Sequence, residues 1–292
     1  MAPNRGFGEG RSRLKPVHLD PLDAYGLPSK GDNRLLDAKT QERYYTKIVE
    51  RYLTFCSDAG NRDVLLERFA SLSIVEKNEQ PVFPTPTSTS LGNNSTKDLS
   101  DVLMALRKLR EGIVASKRLD DFAIQAYLFC IRLAVLVKQP EAYHPAILHL
   151  LRFIHRRHPL TNVELREVVS YLVLDMACRQ SDLSDAYILK QQYDLHDPKV
   201  DAVLHALARD NWVAFRRIKG SVDGHKAKLL EFAEDDLRTH TLKAFGRTYL
   251  HADLDYLERS TGRAWAELQS KNRVGWERDG QKVVIRKIQA KS

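Results

Sequence analysis

The sequence predicts an all-α protein in which helix stacks on helix before the chain closes in a small mixed unit. Three observations predict it. From Thr40 to Tyr249 apolar residues recur at i, i+3 and i+4 over most of the chain, the spacing that gathers them on one face of a helix. The polar breaks between these periodic segments are mostly short, the length that joins antiparallel neighbours. Only the stretch from Arg273 to Lys287 turns β-like: Val283, Val284 and Ile285 follow Asp279-Gly280, a strong hairpin signal.

Residues 1–39 carry Gly, Pro, Asp and Arg with little periodicity and read as a flexible N-terminal arm. The first residues have no apolar core segment, so no secretory signal is expected. Glu9, Asp20 and Asp23 break up the arginines that a transit peptide would need. A helical segment is expected over 40–77. Tyr44, Ile48, Tyr52 and Phe55 share a face up to a stop at Gly60, and Val64, Leu65, Phe69 and Leu72 share one in a second helix over 62–75. Residues 78–97 hold Pro81, Pro84 and Pro86, which forbid helix, and have no apolar period. They read as a disordered linker and an organisational boundary.

A helical-repeat domain is expected over 98–238. Leu99, Leu103, Leu106, Leu109 and Ile113 are in register. Residues 119–137 are too apolar for a surface helix and should lie centrally. Pro140 and Pro145 punctuate a helix over 141–157, which Pro159 ends. Thr161 with Glu164 is a capping-box pattern opening a helix to Arg179. Ser181 or Ser184 is expected to cap a short helix through Tyr193. Asp197-Pro198 opens another to Ala208, with proline at the first helical position. Asp210-Asn211 is then a polar break, after which Trp212, Phe215 and Ile218 share a face. Asn211, Trp212 and Phe215 read as a structural joint between two helices, with Arg216 and Arg217 turned to solvent. Residues 226–249 read as one long helix. No fixed period links these segments, so the stack is tetratricopeptide-like in arrangement but degenerate in sequence.

Residues 239–292 change character. A short helix ends at Gly262, another covers 263–269, and the hairpin follows. Helix, helix, helix, hairpin over this length is the order of a winged helix.

Two stretches, RDNWVAFRRI at 209–218 and LDYLERSTGRAWAELQSKNRVGWERDGQKVVIRK at 254–287, resemble the PCI-domain family. The first resembles the acidic–Asn–aromatic–x–x–Phe joint of one branch. That branch contains the GANP-type mRNA-export scaffolds, signalosome subunit eight, a proteasome-lid subunit and the k subunit of translation initiation factor three. The second resembles the winged helix common to the family, and the likeness spans roughly residues 98–287. It implies a non-catalytic scaffold or assembly subunit of a multiprotein complex in RNA metabolism, be it mRNA export, transcription-coupled or translation-related. Its partners would be other subunits met through the winged helix, and its place the nucleus, the cytoplasm or both. Two alternatives stay open: a proteasome-lid or signalosome-like subunit without nucleic-acid binding, and an autonomous winged-helix nucleic-acid-binding protein.

Charge bears on that choice. The chain carries a formal net charge of +8. Residues 262–292 hold eight basic side chains against three acidic ones, over half of that net charge in about a tenth of the chain. Lys271, Arg273, Arg278, Lys282, Arg286 and Lys287 are therefore candidates to meet RNA, DNA or an acidic partner, and Trp276 is a candidate to stack on a base. No catalytic arrangement, phosphate-cradling glycine loop or zinc spacing is present in the sequence. His144, His149, His155 and His158 lack the spacing of convergent ligands, and Glu234-Asp235-Asp236 diverge around a helix. Neither an enzyme activity nor a cofactor, metal or small-molecule substrate is expected. No apolar run is long enough for a membrane span.

Overall fold

The computed structural model describes residues 20–59 and 91–286. The chain before residue 20, the helix expected over 62–75, most of the expected linker and Lys287 lie outside the described residues. Among the described residues helix dominates, and the strands form one small three-stranded sheet. The chain divides into two compact units.

In the first unit, two 3-10 turns, Pro28–Lys30 and Asn33–Leu36, precede α1 (Ala38–Ala59), and α2 (Leu91–Ser116) follows later in the chain. The apolar face of α1 buries Tyr44, Ile48 and Phe55 as its spacing predicts, and α2 buries Leu99, Leu106, Leu109 and Ile113. Polar groups tie the unit together. The Tyr44 hydroxyl donates to the Leu22 carbonyl at 2.9 Å, and Arg51 bridges Asp20 and Asp98. The buried Gln41 side chain donates to the Leu35 carbonyl and to Ser116.

Three expectations need correction here. Residues 20–39 are no loose arm, because Leu22 and Leu35 are buried in this unit. The expected linker does not reach residue 97: helix begins at Leu91, past the last of the three prolines. The repeat domain does not begin at residue 98, since α2 clusters with the N-terminal segment. Periodicity shows that a helix has an apolar face; it does not say which distant face covers it.

From Leu119 onward the chain belongs to the second unit. Its helices are α3 (Asp121–Leu136), α4 (Pro140–His149), α5 (Asn162–Cys178), α6 (Leu183–Gln192), α7 (Pro198–Ala208), α8 (Trp212–Lys219), α9 (Gly224–Leu230) and α10 (Glu234–Thr248). A π-helical stretch, Leu150–Ile154, and a last turn, His155–Arg157, extend α4. Consecutive helices pack in pairs, α3 on α4, α5 on α6 and α7 on α8, and α9 returns to α3 and α5. As expected from its composition, α3 is buried on nearly every side.

The helix starts follow local chemistry. Thr161 and Glu164 form the capping box, and Asp197 caps α7 ahead of Pro198. Asp182, rather than Ser181 or Ser184, caps α6; Ser181 sits at φ 57° and is outside the cap geometry. The long helix expected over 226–249 is two, broken at Glu231–Ala233. Glu234-Asp235-Asp236 thus fall in the first turn of α10, where the positive end of the helix dipole favours carboxylates.

No boundary falls between residues 238 and 239, because α10 runs through it. A separate apolar cluster does form beyond it, from Leu242, Phe245, Leu254, Leu257, Trp265, Leu268 and Val283. Around that cluster lie β1 (His251–Asp253), α11 (Leu254–Thr261), α12 (Trp265–Ser270), β2 (Glu277–Asp279) and β3 (Lys282–Val284). The expected hairpin is the β2–β3 pair, with Gly280 at φ 60° in its turn. The sheet order is β1-β3-β2, both pairs antiparallel, with Ala252 opposite Val283 and Arg278 opposite Val283. No periodicity signals β1, since Ala252 is its one buried side chain.

Candidate nucleic-acid interface

The joint is built from α8. The Asn211 side chain accepts the Ala214 N–H at 3.0 Å and starts the helix one residue before Trp212. Trp212 is 2% exposed and Phe215 0%, their rings nearly parallel at 6.2 Å between centroids. Arg217 is exposed as expected. Arg216 is exposed as well, yet engaged: its Nη1 donates to the Arg259 carbonyl at 2.7 Å, at the end of α11.

Sequence reasoning missed Arg238. This arginine of α10 is only 4% exposed. Its guanidinium lies 4.9 Å from the Trp212 ring, its Nε donates to the Thr261 carbonyl at 3.0 Å, and its Nη1 meets Asp235 at 2.6 Å. Burial pushes its pKa below the ordinary value and the neighbouring Arg263 adds to the push, against the pull of Glu234 and Asp235. The two arginines therefore tie α8 and α10 to the C-terminal end of α11. The signal for this was present: Arg238, Leu242 and Phe245 fall at i, i+4 and i+7, on the buried stripe of α10.

The basic residues of the C-terminal stretch do not converge. Lys271 pairs with Glu267 at 2.6 Å, one turn back on α12. Arg273 is exposed at φ 51°. Arg278 folds its Nε onto the Gly280 carbonyl at 2.9 Å. Lys282 is exposed, but the register sets it opposite Asp279 on one side and Asp253 on the other. Arg286 turns away to donate to the Arg247 carbonyl at 2.8 Å, where α10 ends. Trp276 is half-buried: it packs against the C-terminal apolar cluster, over Gly246. Packing against the small core takes one part of that ring and leaves another part exposed.

A different arrangement comes together beside the joint. An open groove of about 800 Å3 is walled by Arg209 to Val213 at the start of α8, by His240, Lys243, Ala244 and Arg247 of α10, and by Tyr256 and Ser260 of α11. His240, Lys243 and Arg247 stand at i, i+3 and i+7, a row of about 10 Å along one helix face. Asp210, the one carboxylate among the lining residues, is taken by His240 at 2.9 Å. Tyr249 and Tyr256 are 42% and 46% exposed, each packed on Phe245 at 5.2 and 5.8 Å. The neighbouring Tyr256 side chain raises the Tyr249 pKa.

No family model and no curated protein matches this chain.

The remaining polar clusters are structural in character. Among the described residues no group of three or more His, Cys, Asp or Glu side chains is placed to hold a metal ion. His144 bonds Asp175 at 3.1 Å, His155 accepts the Leu160 N–H, and His158 meets Asp121 at 2.6 Å, each at a different place. The buried Asp175 also accepts from Tyr143 at 2.5 Å and from Arg179 and Gln180. Burial alone would raise its pKa; the Arg179 and Tyr143 hydrogen bonds outweigh that and hold the carboxyl below the ordinary value. The three cysteines are free thiols, with Cys130 and Cys178 buried. Among the described residues no helix is long and apolar enough to cross a membrane.

Proposed function

We propose that this protein is a PCI-type scaffold subunit of a multiprotein complex in RNA metabolism, in the nucleus or cytoplasm. In this reading the helices from α3 to α10 are a degenerate repeat stack, and the unit from α10 to β3 is its winged helix. The order helix, strand, helix, helix, strand, strand supports the second assignment. The observation that carries the proposal is the double arginine clasp. Arg216 of α8 donates to the Arg259 carbonyl of α11, and Arg238 of α10 joins the Trp212 ring of α8 to the Thr261 carbonyl, so the pair fastens the C-terminal unit to the stack. A unit held this way presents its surface at a fixed angle, as assembly requires and as a DNA-binding head on a flexible tether does not. Nucleic acid would then be met by exposed cations of the same unit, Arg273 and Arg286 foremost.

Affinity purification of the tagged full chain, with mass spectrometry, tests the scaffold reading. Stoichiometric co-purification of subunits of one RNA-metabolic complex is the expected result, and a self-contained homodimer would overturn it. Binding of RNA at low and at physiological salt tests the second part, since phosphate contacts make affinity fall steeply with salt.

One specific feature favours a second reading, a proteasome-lid or signalosome-like subunit that binds no nucleic acid. Lys271 is neutralised by Glu267, and Lys282 is flanked by two carboxylates. RNA binding that is absent at low salt, beside intact co-purification of such a complex, would select it.

A further inference from the structure

We infer that the groove beside the α8 joint, rather than the β2–β3 hairpin, is where this protein holds nucleic acid, and that it takes an unpaired strand. The inference rests on the reading that the C-terminal unit meets nucleic acid, and adds the site and the form of the ligand.

Three observations carry it. The first is charge. Arg209, Lys243 and Arg247 line the groove and make no ion pair among the described residues, while the one lining carboxylate is occupied by His240. The hydrogen bond from Arg286 to the Arg247 carbonyl sets a further cation at the end of this row. The wall is therefore a cationic track that a phosphate backbone can follow. In the hairpin, by contrast, Arg278 folds onto the Gly280 carbonyl and Lys282 stands in register between Asp279 and Asp253, with no such row of cations along one face.

The second is the aromatic surface. Tyr256 lines the groove and Tyr249 stands near it, each with close to half its surface in solvent and packed on Phe245. Rigid, half-exposed rings next to cations are what unpaired bases stack on, without regard to sequence. Trp276, half-buried against the C-terminal cluster, does not line the groove.

The third is size. About 800 Å3 is the scale of a small-molecule cleft. It is wide enough to admit unpaired bases. An acidic peptide could satisfy the cations too, but has no need of two adjoining flat rings.

Fluorescence anisotropy of the full-length protein with a short labelled oligouridylate, an RNA duplex of equal length and an acidic peptide tests this. The variants are Tyr256→Ala, Tyr256→Phe, the double change Lys243→Glu with Arg247→Glu, and Lys282→Glu in the hairpin; melting curves check that each folds. The expected result is preference for the single strand, lost about tenfold or more in Tyr256→Ala and largely kept in Tyr256→Phe. The groove double variant should lose affinity and show a flatter salt dependence, with Lys282→Glu close to unchanged. Single-strand binding that survives the groove changes and falls with Lys282→Glu would overturn the inference and leave the proposed function standing. Duplex binding without single-strand preference would do the same. Binding of the peptide alone would make the groove a protein-docking site and overturn it, and no binding of either RNA would remove both readings.

Discussion

The Arg238 guanidinium lies 4.9 Å from the Trp212 ring while its Nε reaches the Thr261 carbonyl at 3.0 Å. One side chain thus meets the core aromatic of α8 and the C-terminal end of α11 from a position on α10. Arg238→Ala removes both contacts and leaves a buried carbonyl without its donor. The expected cost is about 3 kcal/mol, read from denaturant unfolding. Arg238→Lys keeps the charge but not the fork that spans Thr261 and Asp235, and should recover only part of it. An unchanged midpoint for Arg238→Ala would dismiss the clasp.

Trp212 gives a second, graded test. Trp212→Ala should cost about 3–5 kcal/mol, as for other fully buried aromatics. Trp212→Phe should cost about 1–2 kcal/mol. The indole Nε1 is buried without a hydrogen-bond partner among the described residues, so the smaller ring forfeits packing and no hydrogen bond.

Two glycines separate backbone strain from crowding. Gly262 and Gly280 both have positive φ, at 68° and 60°. A Cβ at Gly280 would meet nothing within 4 Å, so Gly280→Ala should cost only the backbone term, about 1 kcal/mol. A Cβ at Gly262 would come within 2.8 Å of Arg216 Cζ. Gly262→Ala should displace that guanidinium from the Arg259 carbonyl and cost about 2–3 kcal/mol. Paired thermal melts would show the difference, and equal shifts would count against the Arg216 contact.

Acid should loosen the stack through Asp175 and Glu167. Both carboxyls are held below their ordinary pKa; burial opposes this, and hydrogen bonds from Arg179 and Tyr143 to the first and from Arg132 to the second prevail. Groups shifted downward stabilise the fold fully above the ordinary carboxylate pKa. They lose that contribution as pH falls toward the lowered folded value. Urea midpoints should therefore drop as pH is lowered through roughly 4. Asp175→Asn should be less stable at neutral pH and show a shallower acid limb; a limb as steep as that of the unaltered protein would refute the role.

The joint, caps and periodic faces show how much local chemistry carries. Thr161 with Glu164, Asp197-Pro198 and Asn211 start their helices where a reading of neighbouring residues places them. The apolar α3 is central because a helix with no polar side has nowhere else to go. Trp212 and Phe215 are buried for the same local reason: their spacing leaves them one face.

What the sequence by itself determined, then, is that the chain is helical, where most helices start, and that a β-turn closes its far end. Only the tertiary structure decided that α2 belongs with α1, that three-residue β1 joins the sheet, that Trp276 packs against the C-terminal cluster, and that Arg209, Lys243, Arg247 and Tyr256 wall one groove. The reason is physical. Caps and helical faces are settled within a few residues of chain, whereas burial of one face by another, and the meeting of cations from separate helices, depend on contacts between distant segments that no local pattern encodes.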